Sequence, residues 1–402
     1  MKNFVYYAPT KVFFGKGREK EIGKICASYG FKKVLVVYGG KSAVKSGLLS
    51  EVENTLKSEG IDVVTEGGVV PNPVLSRTRE IVQTGLKFKP DLLLAVGGGS
   101  VIDTAKVAAY GIADPETDVL EFLKGKPVEK SMPIACILTL SAAGSEMSDS
   151  AVITDDLSAI PVKYGTNNDF NRCLFAVLNP ELTFTLPKFQ IGSGVADIFM
   201  HTAERYFVTE ALTGNHESDA IAEATMRNII KYGLIGYNNP TDYEAMSEIM
   251  WTSTVSHNDI TGLGVSASSG RGGDWAVHQM GKVLSALYDS THGASLTALW
   301  GTWAQLCWKN NPERFVQFGK NVWGLDGDDD TVINKSIEMT VEWFEKVGQP
   351  TNINDLLGFD PDDETIAKIA DACTGNKKRT VGQLKVLGYD DIVTIYKMAR
   401  KK

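Results

Sequence analysis

Asp91-Leu92-Leu93-Leu94-Ala95-Val96-Gly97-Gly98-Gly99-Ser100-Val101-Ile102-Asp103-Thr104-Ala105-Lys106 is the stretch whose reading decides the fold. Leu92 to Val96 form an unbroken apolar run, which reads as a strand covered on both faces. Three glycines end it, and a helix is expected to open near Ser100. Glycines let the backbone approach a diphosphate, and the free N–H groups of a helix start attract its charge. A plain strand–helix turn needs one glycine rather than three. Gly97, Gly98, Gly99 and Ser100 are therefore expected to bind cofactor phosphate, although the spacing is not GxGxxG. Asp103, one turn into the helix, is expected to face the same mouth. There it either hydrogen-bonds the nicotinamide end as part of the reacting site or merely complements the helix dipole.

The surrounding chain repeats this grammar. Val34 to Tyr38 runs into Gly39-Gly40, and Ile134 to Leu138 runs into a small-residue segment ending Gly144-Ser145-Glu146. Residues 1–187 read as an α/β dinucleotide-binding domain with a largely parallel sheet, whose ligands lie beyond the carboxyl ends of the strands. Where an NAD site of this kind places an acid on the ribose 2′-hydroxyl, this chain has Gly39, Gly40, Lys41 and Ser42. Small residues leave room for a 2′-phosphate and Lys41 and Ser42 can bind it, so NADP(H) is expected over NAD(H). After Leu186-Pro187 the periodicity becomes helical, as in 219–232, 243–251 and 335–347, and residues 188–402 read as an all-α domain. Asp326 to Asp330 resembles the start of a calcium loop, but position twelve is Ile337 instead of glutamate, so it reads as a solvated helix connection.

Composition excludes several classes. The 402 residues are 43% hydrophobic and 22% charged, with no apolar run near the ~20 residues a membrane helix needs. The first residues are too few and too polar for a signal peptide, so a cytoplasmic protein is expected. A net charge of −8 without a basic stripe argues against nucleic acid. Cys26, Cys136, Cys173, Cys307 and Cys373 are odd in number and scattered, and read as buried free thiols.

There are only five histidines. Asp197 and His201 stand at i and i+4 on an expected helix, close enough to share an ion, though such a pair is more often a surface contact. His278 and His292 are 14 residues apart, about 21 Å along one straight helix, so a shared site requires a break between them. Tyr288-Asp289-Ser290-Thr291 has the composition of such a turn, with His292-Gly293 opening the next helix. Three imidazoles and a carboxylate suit Fe²⁺ or Zn²⁺, and spacing alone leaves this open. His216 reads as solvated, and His257 as a loop or helix-end residue more readily than as part of a pocket.

These segments together resemble a known family. GGGSxxDxAK, the Thr139 to Glu146 segment, ADxxxHxxE at 196–204, and the run from Trp275-Ala276-Val277-His278 to Leu284-Ser285-Ala286-Leu287-Tyr288-Asp289-Ser290-Thr291-His292-Gly293 look like the iron-dependent alcohol dehydrogenases. The likeness is closest to their NADPH-dependent butanol dehydrogenase branch, and it runs the whole length. It implies the dehydroquinate synthase-like architecture, an α/β domain followed by a helical domain with the site in the cleft between them. It implies hydride transfer between NADP(H) and short-chain primary alcohols or aldehydes, in a homodimer. Asp197, His201, His278 and His292 match the family's metal ligands; Gly97, Gly98, Gly99, Ser100 and Asp103 match its cofactor loop. Thr139, Leu140, Ser148 and Lys163 match positions lining nicotinamide and ribose, and Asn72 matches another cofactor neighbour.

The chain also departs from the pattern. Ala143 stands where relatives usually carry threonine. Lys282 stands where many have a histidine four residues beyond the third ligand, and Gly281 where the nearest branch often has glutamate. Lys282 is accordingly a candidate proton relay if burial lowers its pKa, or else a surface substitution. Two rival readings are a metal- and NAD-dependent cyclase of the dehydroquinate synthase kind and a non-catalytic protein that keeps nucleotide and metal for structure. The cyclase would be expected to show a Glu-based ligand set and a phosphate-binding basic cluster, and neither is present in the sequence.

Overall fold

Buried backbone must pair its N–H and C=O groups, and the apolar runs of the first half do so with one another. In the computed structural model, which describes residues 1–208, 214–265 and 272–401, six strands form one parallel sheet in the order β1-β8-β5-β4-β2-β3. They are β1 (Lys11–Phe14), β2 (Lys33–Tyr38), β3 (Asp62–Glu66), β4 (Leu92–Gly97), β5 (Ile134–Leu138) and β8 (Phe175–Leu178). Every residue of β4, β5 and β8 is buried, as expected for strands covered on both faces. Helices α1 (Ile22–Ser28), α2 (Leu48–Ser58), α3 (Leu75–Phe88) and α4 (Gly99–Ala113) alternate with the strands. Val34, Val36, Leu92, Leu94, Val96, Ala135, Ile137, Phe175 and Val177 share a core with Ile22, Val52 and Leu56 of α1 and α2. An antiparallel hairpin, β6 (Ser150–Asp155) and β7 (Val162–Asn167), was not evident from periodicity because β7 is largely exposed.

The chain leaves β2 for β3 on one side and returns to β4 on the other, which makes β2/β4 the point where strand order reverses. Tyr38 lies opposite Val96 in the register, so the glycine turns after β2 and β4 sit side by side at the carboxyl edge. Ligands of open α/β sheets bind at such a point.

In the second half, helix α5 (Lys188–Tyr206) is buried continuously from Ile191 to Tyr206. A helix apolar all round has to be wrapped by others. Around it pack α6 (His216–Asn238), α7 (Tyr243–Ser256), α8 (Ala276–Tyr288), α9 (His292–Cys307), α10 (Pro312–Trp323) and α11 (Asp329–Lys346). Phe199 meets Trp300, Phe318, Trp343 and Phe344 at ring separations of 5.4–6.3 Å. The break expected between His278 and His292 is present: α8 ends at Tyr288, Asp289 takes a left-handed conformation, and His292 opens α9. The acidic run at 326–330 carries the cap of α11, where Asp328 accepts from Thr331 N. All five cysteines are buried and free.

Contacts divide the chain between Thr185 and Leu186, two residues before the expected 187/188 boundary. They differ from it in one respect. Met1–Tyr6 belong with the helical unit, where Lys2 N donates to Gly264 O at 3.1 Å. Nothing in six N-terminal residues announces a partner more than 200 positions away.

One close approach sets the position of α9 against α5. A Cβ on Gly293 would lie 2.1 Å from the Ser193 carbonyl oxygen, a backbone atom that cannot swing aside. Gly293→Ala is expected to destabilise the protein by about 1–3 kcal/mol, as overpacking does. Denaturant unfolding of the two proteins at equal protein concentration measures it.

Candidate metal centre and cofactor loop

Helical spacing places Asp197, His201 and Glu204 along α5 at i, i+4 and i+7, hence near one face. The side chains of Asp197, His201 and His278 are 4–6% exposed and that of His292 is 28% exposed, so the cluster opens on the His292 side. Three imidazoles converge on a single carboxylate oxygen. Asp197 Oδ1 lies 3.7 Å from His201 Nε2, 3.5 Å from His278 Nε2 and 3.8 Å from His292 Nε2. Asp197, His278 and His292 offer ligand atoms all within 4.8 Å of one another. His201 stands at the margin of this set, its ring 4.8 Å from that of His278. Among the described residues, Asp197 Oδ1 and His278 Nε2 are buried without a hydrogen-bond partner. Leaving such groups unsatisfied costs about 1–3 kcal/mol each, and a divalent cation would satisfy both.

Glu204 organises the cluster from behind and has no solvent exposure. Its carboxylate accepts from Val277 N at 2.8 Å and His278 N at 3.4 Å, two of the orphan donors at the start of α8, and it is hydrogen-bonded to His278 Nδ1. With Nδ1 held, Nε2 of His278 is directed at Asp197, the carboxylate–histidine arrangement that orients imidazole ligands. Burial opposes the charged form of His278, but Glu204 and Asp197 outweigh it and hold the pKa above its ordinary value. His201 is the opposite case: burial, and next the neighbouring His257, push it well below the ordinary range, so it is neutral.

Sequence reasoning quoted Glu204 within its motif without giving it a role. The available signal was its i+7 spacing from Asp197, which helical periodicity carries. His257 is at a helix end, as its sequence context suggests. The structure places His257 just after α7, with its ring 4.0 Å from that of His201. Arg205 is 3% exposed and donates to His257 Nδ1 at 3.1 Å, His201 O at 3.0 Å and Ser256 O at 2.7 Å. Trp275, in a left-handed conformation at φ 56°, lies edge-on to His278 at 5.2 Å and beneath the Arg205 guanidinium at 4.8 Å. His216 is exposed at the start of α6.

In the α/β unit, Gly98 precedes α4, which begins at Gly99 rather than at Ser100. Added Cβ atoms would lie 2.4 Å from Val101 Cγ2 at Gly97, 3.0 Å from Leu140 Cβ at Gly98 and 3.3 Å from Ala143 Cβ at Gly99. The loop is thus tight against its own unit and brings Leu140 and Ala143 to the glycines. Thr139 joins them, its N–H donating to Gly97 O at 3.1 Å. Gly40, Lys41 and Ser42 are exposed beyond β2, with Gly39 half-buried. Asn72 and Lys163, far apart in sequence, meet through Lys163 Nζ donating to Asn72 Oδ1 at 2.8 Å.

Two residues have more internal roles than the sequence suggested. Asp103 is half-buried and accepts from Ser145 Oγ at 2.6 Å and Val152 N at 2.9 Å, which ties α4 to β6. Burial raises its pKa despite these bonds and nearby Lys106. Ser148 is buried with its Oγ 3.4 Å from Lys106 Nζ. Lys106 itself has no exposure, and it donates to the carbonyls of Ser145, Ser148 and Ser150 at 2.7–3.2 Å. Sequence reasoning quoted Lys106 without a role. Lys282 is half-buried one turn beyond His278, and Gly281 packs so closely on α9 that a Cβ would lie 2.8 Å from Ser295 Oγ and Leu296 Cδ2.

Comparison with known proteins shows the family of the chain. Residues 9–180 match the family model for iron-containing alcohol dehydrogenase, and residues 191–400 match that for the C-terminal part of the Fe-containing alcohol dehydrogenase family. The chain is 38% identical over 402 residues to NADH-dependent butanol dehydrogenase A of Clostridium acetobutylicum, covering 99% of each. It is 34% identical over 365 residues to the NADPH-dependent aldehyde reductase YqhD of Escherichia coli, covering 88% of this chain and 89% of the other. The crystal structure of NADH-dependent butanol dehydrogenase A from Thermotoga maritima superposes with a TM-score of 0.92 at 37% identity, covering 100% of this chain and 99% of that one.

Because Glu204 raises the His278 pKa, a metal entering the cluster has to displace a proton that persists to higher pH than on an ordinary imidazole. Metal affinity is expected to fall as pH drops through that raised pKa. Glu204→Gln is expected to move the fall to lower pH and to weaken affinity at pH 8 by about 10–100-fold. Chelator competition with Zn²⁺ at pH 6, 7 and 8 reads both effects.

Proposed function

Since the chain belongs to the iron-containing alcohol dehydrogenase family, we propose that it is an NADP(H)-linked, metal-dependent alcohol dehydrogenase and aldehyde reductase acting on short-chain primary alcohols and aldehydes such as butanol and butanal. The observation that carries this reading is the convergence of three imidazoles on the partnerless Asp197 Oδ1. Asp197, His201, His278 and His292 would hold one Fe²⁺ or Zn²⁺. When bound, the ion would supply Lewis acidity towards an alcohol or carbonyl oxygen, and a nicotinamide cofactor would supply the hydride-transfer chemistry.

The chain's own residues do the rest. Glu204 keeps His278 aimed, and the 28% exposure of the His292 side chain leaves the cluster open to a small substrate. Gly97, Gly98, Gly99 and Ser100 offer their backbone to the diphosphate at the start of α4. Thr139 and Leu140 flank the loop, and the Asn72–Lys163 pair offers polar atoms to the ribose. Asp103, with an acceptor bond on each oxygen, and Ser148, on Lys106, act by holding the loop and hairpin in shape. A solvent chain or Lys282, half-buried one turn beyond His278, would complete proton transfer.

NADP(H) is favoured by the end of β2. No carboxylate follows Tyr38, and Lys41 and Ser42 stand exposed. Glu66, ending the neighbouring β3, is taken by Arg77 and by Thr84 Oγ1. The names of the relatives divide between NADH and NADPH, so the preference rests on these residues. Free buried cysteines suit a reducing cytoplasm, and no helix among the described residues is long and apolar enough to cross a membrane. A homodimer is part of the same reading.

Protein loaded with Fe²⁺ or Zn²⁺ is expected to oxidise NADPH in the presence of butanal; absence of turnover with every short aldehyde and both cofactors would sink the proposal. A Cβ on Gly39 would meet Val69 O at 3.4 Å and Val101 Cγ2 at 3.5 Å, ordinary contacts, so aspartate can be built there. Gly39→Asp is expected to lower the NADPH/NADH ratio of kcat/KM by about 10-fold or more, through charge repulsion at the 2′-phosphate. An unchanged ratio would place cofactor selection elsewhere.

A further inference from the structure

An imidazole that binds a metal through one nitrogen ordinarily gives its other nitrogen to a carboxylate, carbonyl or water, which fixes the ring. His278 follows this rule through Glu204. His201 does not. Its Nε2 faces Asp197 Oδ1 at 3.7 Å, while Nδ1 is buried and has no hydrogen-bond partner among the described residues. Among the described residues no hydrogen bond to Nδ1 therefore sets the rotation of this ring about its χ2 bond, which is a broad torsion in histidine.

The group that does press on the ring is His257. Its centroid lies 4.0 Å from that of His201 with the planes inclined at 36°, nearer than His278 at 4.8 Å or Trp275 at 6.3 Å. His257 is itself anchored. A guanidinium can only donate, so the 3.1 Å contact with Arg205 makes Nδ1 an acceptor and puts the ring proton on Nε2. In that tautomer Nδ1 is engaged and Nε2 is protonated, so His257 is not itself a metal donor. The same guanidinium also binds His201 O and Ser256 O, joining the backbone turn that carries His201 to the one that carries His257.

Resting on the metal reading above, we propose that His257 is a positioning residue whose ring face holds His201 in its ligating orientation, in place of the missing hydrogen-bond acceptor. What matters is then the flat face at position 257 and not its nitrogens. The consequence is a centre of two kinds of donor. Asp197, His278 and His292 are set close together, and His201 is held by the tilted ring contact with His257.

The test uses the full-length protein loaded with Co²⁺, whose visible absorption reports ligand geometry, together with His257→Ala, His257→Leu and His257→Phe. Thermal unfolding of the metal-free proteins identifies folded variants, and His257→Leu serves if His257→Ala does not fold. Loss of Co²⁺ to excess chelator is expected to be about 10-fold faster in the alanine or leucine variant, with a shifted spectrum, and within about twofold of wild type in the phenylalanine variant. Wild-type retention and spectrum in His257→Ala or His257→Leu would overturn the proposal. So would a phenylalanine variant as leaky as alanine, since the nitrogens would then be responsible. Failure of the wild-type protein to take up one Co²⁺ per chain would instead remove the metal reading itself, and the proposal with it.

Discussion

Glu204 is a carboxylate with no exposure, and the helical unit is arranged around meeting its charge. Burying such a group unpaired costs several kcal/mol. Here two N–H groups of the first turn of α8 and the Nδ1 of His278 answer it. One side chain on α5 thereby fixes where α8 begins, how it is rotated, and which nitrogen of its histidine is available. Asp197, two turns earlier on the same helix, receives that nitrogen. The break after Tyr288 then lets α9 start beside α5, at a spacing only Gly293 permits. Positioning of the cluster thus follows from satisfying one buried acid.

The α/β unit uses the opposite charge for a comparable purpose. Lys106 is buried on α4 and draws in three carbonyls of the 145–150 segment. Asp103, one turn before it, takes Ser145 and the backbone of β6. Together they bind the segment following β5 to the helix that follows the glycine loop. In the proposed cofactor reading the loop needs N–H groups that do not have to reorganise when the ligand arrives, and these buried bonds would supply that rigidity from below.

The departures from the family pattern have local physical content. Gly281 lies where α8 and α9 touch closely, so a larger side chain there would require Leu296 and Ser295 to shift. Lys282 is half-buried one turn beyond His278.

Much was legible in the sequence because the signals were local. Apolar runs ending in glycines specified parallel strands with ligand loops at their carboxyl ends, and β4, β5 and α4 lie where those runs said. The i, i+4 spacing put Asp197 and His201 on one face, and the 14-residue gap demanded a helix break that Asp289 provides. Tertiary structure alone decided that Met1–Tyr6 join the helical unit, that Asn72 meets Lys163 across 91 residues, and that Ser148 turns inward onto Lys106. It alone gave Glu204 and His257 their partners, 74 and 56 positions away. Periodicity reports which face a residue occupies, because that depends on the few neighbours within a helical turn. Which distant groups meet on that face depends on close approaches such as Gly293 against Ser193, and these exist only once the helices have packed.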